Sequence, residues 1–369
     1  MVEVPPVTLL IKPVSGLCNL RCKYCFYADV MEQREMFSYG KMDLETLELL
    51  VQNALEYAED FVSFGFQGGE PTLAGLDFYE HLVAFERKYN TKGVKIQNSI
   101  QTNGYAIDKD WAQFLHDHQF LAGLSMDGTA EIHDSLRLDV AGNPTYQKAA
   151  QAAELFEEYK VEYNILCVVT NFTARYPRRV FSNLKPRRFL QFIPCLDSFD
   201  GEREKYSLAP KRYGEFLKQT FDEYYRCLMQ GEYVSVRNFD NYIQMLLGNA
   251  PENCAMNGKC ASYFLIEGDG SVFPCDFYVL DQWKMGNIKE NSFQQLYLSE
   301  TAAVFRKSSE PVHDKCQVCK WYPLCRGGCR RDREPFVHGK PGLNRLCESY
   351  LEFFPYAYPK MERIAKMLK

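Results

Sequence analysis

The amino-acid sequence predicts an α/β fold of six strand–helix units, followed by a cysteine-rich C-terminal module. In the first two-thirds of the chain, short apolar runs alternate with amphipathic stretches, an order typical of parallel βαβ units. After about residue 235 this alternation stops, and eight of the 14 cysteines lie between residues 254 and 347. We therefore predict one domain over residues 1–235 and a second over 236–369.

The predicted elements of the first domain alternate in order along the chain. The predicted strands are Thr8–Lys12, Phe61–Gln67, Val94–Thr102, Leu121–Met126, Tyr163–Thr170 and Phe189–Ile193. The predicted helices are Leu44–Ala58, Phe78–Tyr89, Lys109–Asp117, Tyr146–Tyr159, Tyr176–Leu184 and Lys211–Met229. Six such units either close partly into a barrel or lie open in a doubly wound sheet, and periodicity alone does not choose between the two.

The second domain is predicted to be stabilised in another way. Within it, the segment 254–347 indicates a hairpin in "YFLIEGDGSVFPC", with the turn at residues 268–270, and little helix beyond Phe293–Leu298. A segment with so little apolar periodicity needs a further source of stability, and bound metal supplies one.

Charge and composition exclude several classes of function. The net charge is −5, and the basic residues are scattered rather than gathered into the stripe of a nucleic-acid binder. The N-terminus lacks the basic start and apolar core of a secretory signal, and no apolar run is long enough to span a membrane. We expect a soluble cytoplasmic protein that binds neither nucleic acid nor membrane.

In a reducing compartment, closely spaced cysteines indicate metal or cluster ligands rather than disulfides, whereas the isolated Cys167, Cys195 and Cys227 are expected to be buried and inert.

Three cysteines follow the first predicted strand. In "GLCNLRCKYCFY", Cys18, Cys22 and Cys25, here called the loop cysteines, are spaced C-x3-C-x2-C. Loops at the carboxyl ends of parallel strands carry function in α/β folds. A structural zinc would need a fourth ligand, whereas three thiolates on a four-iron cluster leave one iron open. The loop cysteines therefore indicate a reactive site.

Further polar groups follow later strands and are predicted to share the same edge of the sheet. Gly68 and Gly69 in "FGFQGGEPTLAG" allow close approach of the backbone to a ligand, and Glu70 can accept from an ammonium group, although an ordinary turn with a solvated Glu remains an alternative. The other strand-end groups are Gln101, Thr102, Asn103, Ser125, Asp127 and, soon after, Arg137.

The C-terminal cysteines read C-x2-C-x5-C-x3-C-x17-C from Cys316 to Cys347, with three more upstream. Eight ligands suffice for two fully coordinated four-iron clusters, with a zinc ribbon as the alternative.

The motif "CNLRCKYC" after a first strand resembles the radical S-adenosylmethionine enzymes. This resemblance implies a partial (β/α)6 TIM-type barrel, a 4Fe-4S cluster on the loop cysteines, and S-adenosylmethionine chelated to the open iron. It identifies the Gly68–Glu70 stretch as the site of the methionine ammonium group. It also places Tyr24, Gly69, Ser125, Arg137 and Leu196 at contacts with S-adenosylmethionine.

The C-terminal spacing resembles the SPASM extension of radical enzymes that modify peptides and proteins. This resemblance implies one auxiliary 4Fe-4S cluster on Cys254, Cys260, Cys275 and Cys329, and another on Cys316, Cys319, Cys325 and Cys347, which makes three clusters with the first.

Stretches such as "FGFQGGEPTLAGL", "NSIQTNG" and "GSVFPCDFYVLDQW" resemble the anaerobic sulfatase-maturating enzymes along nearly the whole chain, less clearly over 171–210 and 330–346. The family oxidises the Cβ of a cysteine or serine in a sulfatase to Cα-formylglycine. The resemblance implies Asp276 as general base, the first auxiliary cluster as electron acceptor, and a sulfatase polypeptide with a Cys/Ser-x-Pro/Ala-x-Arg motif as partner. It also implies a flavodoxin- or ferredoxin-type electron donor. Gln67 and Tyr27 are candidates to line the substrate pocket, although a strand-end amide and a core aromatic explain them equally well.

Two rival classes remain open at this point. Another SPASM enzyme would form a thioether or carbon–carbon crosslink on a ribosomal peptide, often with a recognition domain ahead of the barrel, for which about seven residues before the first strand are too few. A non-catalytic zinc or iron–sulfur scaffold would contact RNA through "CRGGCRRDR".

Overall fold

The computed structural model describes residues 7–199, 205–261, 263–336 and 339–369. Its strands are β1 (Val7–Ile11), β2 (Phe61–Phe66), β3 (Lys95–Thr102), β4 (Leu121–Ser125), β5 (Tyr163–Val169), β6 (Phe189–Pro194), β7 (Ser235–Val236), β8 (Phe264–Ile266), β9 (Ser271–Phe273) and β10 (Gly286–Asn287). The six predicted strands are β1 to β6. The prediction that the segment before the first strand is too short for a recognition domain concerns residues 1–6, which lie outside the described residues.

The helices of the described residues are α1 (Phe26–Glu32), α2 (Leu44–Tyr57), α3 (Leu76–Tyr89), α4 (Lys109–Asp117), α5 (Ala130–Leu136), α6 (Tyr146–Glu158), α7 (Pro177–Leu184), α8 (Pro210–Met229), α9 (Arg237–Leu246), α10 (Phe293–Leu298), α11 (Glu300–Ser309), α12 (Asp314–Gln317), α13 (Tyr322–Cys325) and α14 (Cys347–Met367). The six helices predicted for the first domain are confirmed, as is α10. The expectation of little helix beyond α10 is wrong, because α11 follows it with ten residues and two short helices come after. No helix among the described residues has the length and apolar character needed to cross a membrane.

The chain divides into two compact units. The first comprises the described residues within 1–125, 137–163 and 262–305, and the second those within 126–136, 164–261 and 306–369. The predicted boundary after residue 235 stays a prediction, since these units are interleaved along the chain.

In the first unit the strand order is β10-β9-β8-β1-β2-β3-β4. Strands β1 to β4 pair in parallel, as the strand–helix alternation predicts. The predicted hairpin is confirmed, since β8 and β9 pair antiparallel. Strand β8 also pairs in parallel with β1, with Leu9 opposite Phe264 and Ile11 opposite Ile266. The hairpin therefore extends the same sheet that carries the loop cysteines.

In the second unit β5, β6 and β7 pair in parallel. The long helix α14 packs its aromatic face against α8 and α9, with the rings of Phe353 and Phe221 5.7 Å apart and those of Phe354 and Tyr242 5.1 Å apart. These large rings are buried and contribute apolar area to this part of the core.

Candidate active site

The loop cysteines lie together directly after β1. Burial, with smaller contributions from the neighbouring Glu70, Cys22 and Cys25, raises the pKa of the Cys18 thiol to about 12, against the Leu20 N–H that donates to its sulfur. Three thiolates side by side repel one another unless a cationic group neutralises them, and a coordinating metal deprotonates a thiol outright. The donor set therefore fits an iron–sulfur cluster.

Two polar groups flank these thiols, the predicted cofactor residue Arg137 and the strand-end residue Asn103. The Arg137 guanidinium lies 3.8 Å from Cys22 Sγ and over the ring of Tyr24, 5.4 Å from its centroid. From the other side, the Asn103 amide lies 3.9 Å from Cys18 Sγ and donates to Asn19 at 2.8 Å. The loop is thus bordered by donors, which suits sulfur atoms that carry negative charge.

Gly68 and Gly69 form a tight turn at the end of β2. Both have a positive φ, 79° and 45°, which glycine adopts without strain. A Cβ on Gly68 would lie 2.4 Å from Lys12 Cε, and one on Gly69 would lie 2.2 Å from the carbonyl oxygen of Leu17. Glycine is required here for close packing against β1 and the start of the cysteine loop.

Glu70 ties two strand-end loops together. Its buried carboxylate accepts hydrogen bonds through Oε1 from the Thr72 N–H and from the hydroxyls of Thr72 and Thr102, and through Oε2 from the Asn103 N–H at 2.7 Å. These bonds give the side chain a structural role in the fold. Its contact with an ammonium group stays a prediction.

The remaining predicted cofactor residues lie at strand ends in their own units. In the first unit, Ser125 Oγ accepts from the Gln101 amide at 3.0 Å. In the second, the fully buried Asp127 accepts from the Val168 N–H of β5 at 2.9 Å. Leu196 is half-buried just after β6. Their contacts with cofactor stay predictions.

Asp276 is buried, not a surface residue of a loop. It follows β9 by three residues, and its side chain is nine-tenths enclosed. Burial raises the pKa of its carboxyl group above the ordinary value, while hydrogen bonds from Tyr263, Cys275 and Gln67 oppose that rise. A carboxylate with a raised pKa takes up a proton more readily near neutral pH.

The two predicted substrate residues lie near this carboxylate. The Gln67 amide donates to Asp276 Oδ2 at 3.1 Å. The charge of Asp276 adds to burial in raising the pKa of the Tyr27 hydroxyl well above its ordinary value. Lys12 Nζ lies 4.8 Å from the centre of the Tyr27 ring. The structure therefore brings both predicted pocket residues together with the predicted base.

A buried ion network that the sequence analysis missed lies next to this group. Lys12 and Arg34 contact the same oxygen of Glu267 at 2.7 and 2.9 Å, and all three side chains are fully enclosed. Burial lowers the pKa of Lys12 and the charge of Glu267 opposes that shift, so a cation here would be costly without its partner. The strand pairing of Ile11 with Ile266 brings Lys12 beside Glu267, and no local sequence pattern reports that pairing.

The C-terminal cysteines of the second unit fall into two groups. Burial, with smaller contributions from Cys347, Cys316 and Cys319, raises the pKa of Cys325 to about 12. The pKa of Cys329 is raised well above the ordinary thiol value, mainly by burial. The cysteines that add to this rise are Cys254 and Cys260. Cys329 therefore lies with the upstream pair, although it is only four residues from Cys325.

The three isolated cysteines are buried, as the sequence predicts. All 14 cysteines lie within the described residues and are free thiols. Cys167, Cys195 and Cys227 are buried, as predicted.

Within the described part of the chain, no three His, Cys, Asp or Glu side chains converge on one point as ligands of a single ion do. The thiolates of a four-iron cluster each bind a different iron, so they need not converge.

The basic run "CRGGCRRDR" faces inward. Arg330, Arg331 and Arg333 are only 2–7% exposed. Arg331 donates to the carbonyl oxygen of Asp197 at 2.6 Å, and Arg333 donates to that of Ser309 at 3.0 Å. These side chains hold loops in place. Because they are buried, they do not form the exposed basic surface that the RNA-contact interpretation requires.

Comparison with known proteins identifies two families. Residues 13–181 match the radical SAM superfamily, and residues 254–320 match SPASM, an iron–sulfur cluster-binding domain. The chain is 49% identical to the cysteine-type anaerobic sulfatase-maturating enzyme of Clostridium perfringens, over 99% of this chain and all of that one. It is 29% identical to the serine-type enzyme of Bacteroides thetaiotaomicron, over 98% of this chain and 92% of that one.

A solved structure gives the same result. The chain matches the structure described as native anSMEcpe with bound AdoMet and Cp18Cys peptide, with a TM-score of 0.94 and 48% identity, over 99% of this chain and all of that one. The predicted fold class and the predicted resemblance are confirmed. The rival interpretation as a crosslinking peptide modifier is not favoured by these likenesses.

Proposed function

Because this chain belongs to the cysteine-type anaerobic sulfatase-maturating enzymes, which are radical S-adenosylmethionine proteins with a SPASM domain, we propose that it oxidises the Cβ of one cysteine in a sulfatase to Cα-formylglycine. The single observation that supports this most strongly is the enclosed Asp276, held by Gln67 on the same sheet that carries the loop cysteines. Cysteine is proposed as the residue modified because the cysteine-type relative is much the more similar of the two.

The residues that would hold the cofactors are those the sequence predicts. Cys18, Cys22 and Cys25 would bind the first 4Fe-4S cluster, and Tyr24, Gly68, Gly69, Glu70, Ser125, Asp127, Arg137 and Leu196 would contact S-adenosylmethionine. Cys254, Cys260, Cys275 and Cys329 would bind the first auxiliary cluster, and Cys316, Cys319, Cys325 and Cys347 the second. The grouping of Cys329 with Cys254 and Cys260 supports this division.

When bound, the clusters and S-adenosylmethionine supply a 5′-deoxyadenosyl radical that takes one hydrogen atom from Cβ, and an acceptor for the electron that the substrate then loses. The part of the reaction that the chain itself performs is the proton transfer. Asp276 would take the thiol proton as the carbon–sulfur bond becomes double, and its raised pKa favours that uptake. Water then replaces sulfur, which leaves the aldehyde and releases hydrogen sulfide.

Gln67 and Tyr27 would shape the pocket around the reacting carbon. The Gln67 amide orients one carboxylate oxygen, and the Tyr27 ring lies over Lys12 of the ion network. Burial of Asp276 keeps bulk water from the base, which strengthens each electrostatic contact it makes.

The test is anaerobic incubation of the reconstituted protein with a short peptide carrying a Cys-x-Pro-x-Arg motif, followed by mass spectrometry. We expect conversion of the cysteine to the aldehyde and formation of 5′-deoxyadenosine, with about twelve irons per chain. A peptide with alanine at the target position is the control. A crosslinked peptide, or a protein that binds zinc instead of iron, would contradict the proposal.

We further propose a flavodoxin- or ferredoxin-type electron donor and a cytoplasmic location. Fourteen free cysteines support a reducing compartment. Reduction of the reconstituted protein by a purified flavodoxin, compared with a chemical reductant, tests the first of these.

A further inference from the structure

The hydroxyl group of Tyr263 lies between Cys275 and Asp276 and contacts both. We propose that Tyr263 is a positioning residue that fixes the Asp276 carboxylate in the orientation needed to take the thiol proton. This inference rests on the proposed function and adds to it a residue that the sequence analysis did not single out.

The hairpin places Tyr263 at this position. Leu265 pairs with Phe273 across β8 and β9, and the same register continued by two residues puts Tyr263 opposite Cys275. Side chains opposite each other on neighbouring strands lie close together. Any sequence with this hairpin register therefore brings residue 263 to the cluster ligand and to the base that follows it.

The contacts form a closed ring. The Tyr263 hydroxyl donates to Asp276 Oδ1 at 2.5 Å, and the Asp276 backbone N–H donates back to the Tyr263 oxygen at 3.3 Å. Gln67 donates to the other carboxylate oxygen at 3.1 Å. With donors on both oxygens, both the direction and the plane of the carboxylate are fixed.

Loading of the cluster makes Tyr263 more important. In the structure the Cys275 thiol also donates to Asp276 Oδ1, at 3.5 Å. A cysteine bound to iron carries no thiol proton, so that bond would be lost in the loaded protein. Tyr263 then carries the hydrogen bond to Oδ1. Its hydroxyl also lies 3.4 Å from Cys275 Sγ, so the same side chain touches a ligand of the electron acceptor.

A carboxylate that is free to turn would uncouple the two halves of the reaction. Formation of 5′-deoxyadenosine needs only hydrogen-atom abstraction, whereas the product needs the thiol proton to leave as well. If the proton is not taken in time, the carbon radical is reduced by one electron from the electron donor and takes up one proton, so the turnover yields 5′-deoxyadenosine but no aldehyde. Misplacement of a catalytic group by about 1 Å costs up to about 10²-fold in rate.

The test uses Tyr263→Phe and Tyr263→Leu, each loaded with all three clusters, with Tyr89→Phe as the matched control. The Tyr89 hydroxyl also donates to a carboxylate, Glu48, at 2.8 Å, on the outer face of the first unit. For the Tyr263 variants we expect formylglycine formation to fall about 10- to 100-fold with KM for the peptide within about 2-fold. The ratio of 5′-deoxyadenosine to formylglycine should rise about 10-fold or more, and the auxiliary-cluster EPR signal should shift.

An unchanged ratio overturns the inference, whether both products persist or both fall together, since a merely structural defect lowers them in proportion. A raised ratio in Tyr89→Phe would also overturn it. If one variant fails to load iron, the other provides the same test. Failure of the proposed function is distinct, because the unaltered protein would then form no formylglycine at all.

Discussion

Replacement of Glu86 by glutamine should stabilise the protein at alkaline pH. Glu86 lies on α3, is 5% exposed, and accepts from the Asn98 amide of β3 at 3.1 Å. Its Oε1 and the Asn98 Oδ1 are buried without a hydrogen-bond partner. Burial raises the pKa of Glu86 to about 7 from the ordinary 4.5, against the opposing effects of Asn98 and Arg87.

The sign and size of the effect follow from the two pKa values. Between pH 4.5 and about 7 the folded protein holds a proton that the unfolded chain has lost, so the free energy of unfolding falls as pH rises through that window. Above pH 7 the accumulated cost is about 3 kcal/mol, at 1.36 kcal/mol for each pH unit between the two values. The glutamine amide has no charge to bury and has an N–H to offer the Asn98 carbonyl.

Thermal unfolding of the loaded protein at pH 5 and pH 8 is the assay. At pH 8, Glu86→Gln should gain about 1–3 kcal/mol, or about 2–4 °C in Tm for each kcal/mol in a folding unit of 150–250 residues. At pH 5 the gain should shrink to below about 1 kcal/mol. Glu48→Gln is the control, because hydrogen bonds from Lys88 and Tyr89 lower the pKa of that exposed carboxylate. A Tm at pH 8 no higher than that of the unaltered protein, or a gain equal at both pH values, would refute the reasoning.

Three further changes test the cofactor assignments and the base. Alanine at all three loop cysteines should abolish reductive cleavage of S-adenosylmethionine, measured as 5′-deoxyadenosine; continued formation would rule out the first-cluster site. Asp276→Asn should leave that cleavage largely intact but lower formylglycine formation about 10²-fold or more, because an amide cannot take the proton; undiminished product would remove the base role. Cys347→Ala should lose about four irons per chain and lower Tm, because cluster binding contributes to folding free energy. The buried Cys227→Ala should keep its iron, and equal losses in both would contradict the assignment.

The strands of the parallel sheet could be predicted because each is a short apolar run between turn residues. Helix α14 could not be predicted in this way. Pro355 and Pro359 lie inside it, and proline ordinarily ends a helix. Packing of Phe353 and Phe354 against neighbouring rings compensates for the lost backbone bonds.

The candidate site divides in the same way. The loop cysteines and the Gly-Gly-Glu turn are contiguous, so their spacing is visible in the sequence. The contact of Lys12 with Glu267 joins positions 255 residues apart and depends on the pairing of β1 with β8. Tyr263 falls between these two cases. The hairpin in which it lies could be predicted from the sequence, and the register of that hairpin places Tyr263 opposite Cys275.

The pairing of β8 with β1 constrains how homologous proteins can be recombined. The Lys12 N–H donates to the Ile266 carbonyl oxygen at 2.8 Å, which locks the strand leading to the cysteine loop to the strand that Tyr263 precedes. A slip of one residue along a strand reverses the side to which every side chain points. A chimaera that takes its C-terminal part from another homologue must therefore inherit the matching edge of β1 along with the cysteines. Without it, Cys275 and the base that follows it could face away from the loop cysteines even in a chimaera that keeps every cysteine.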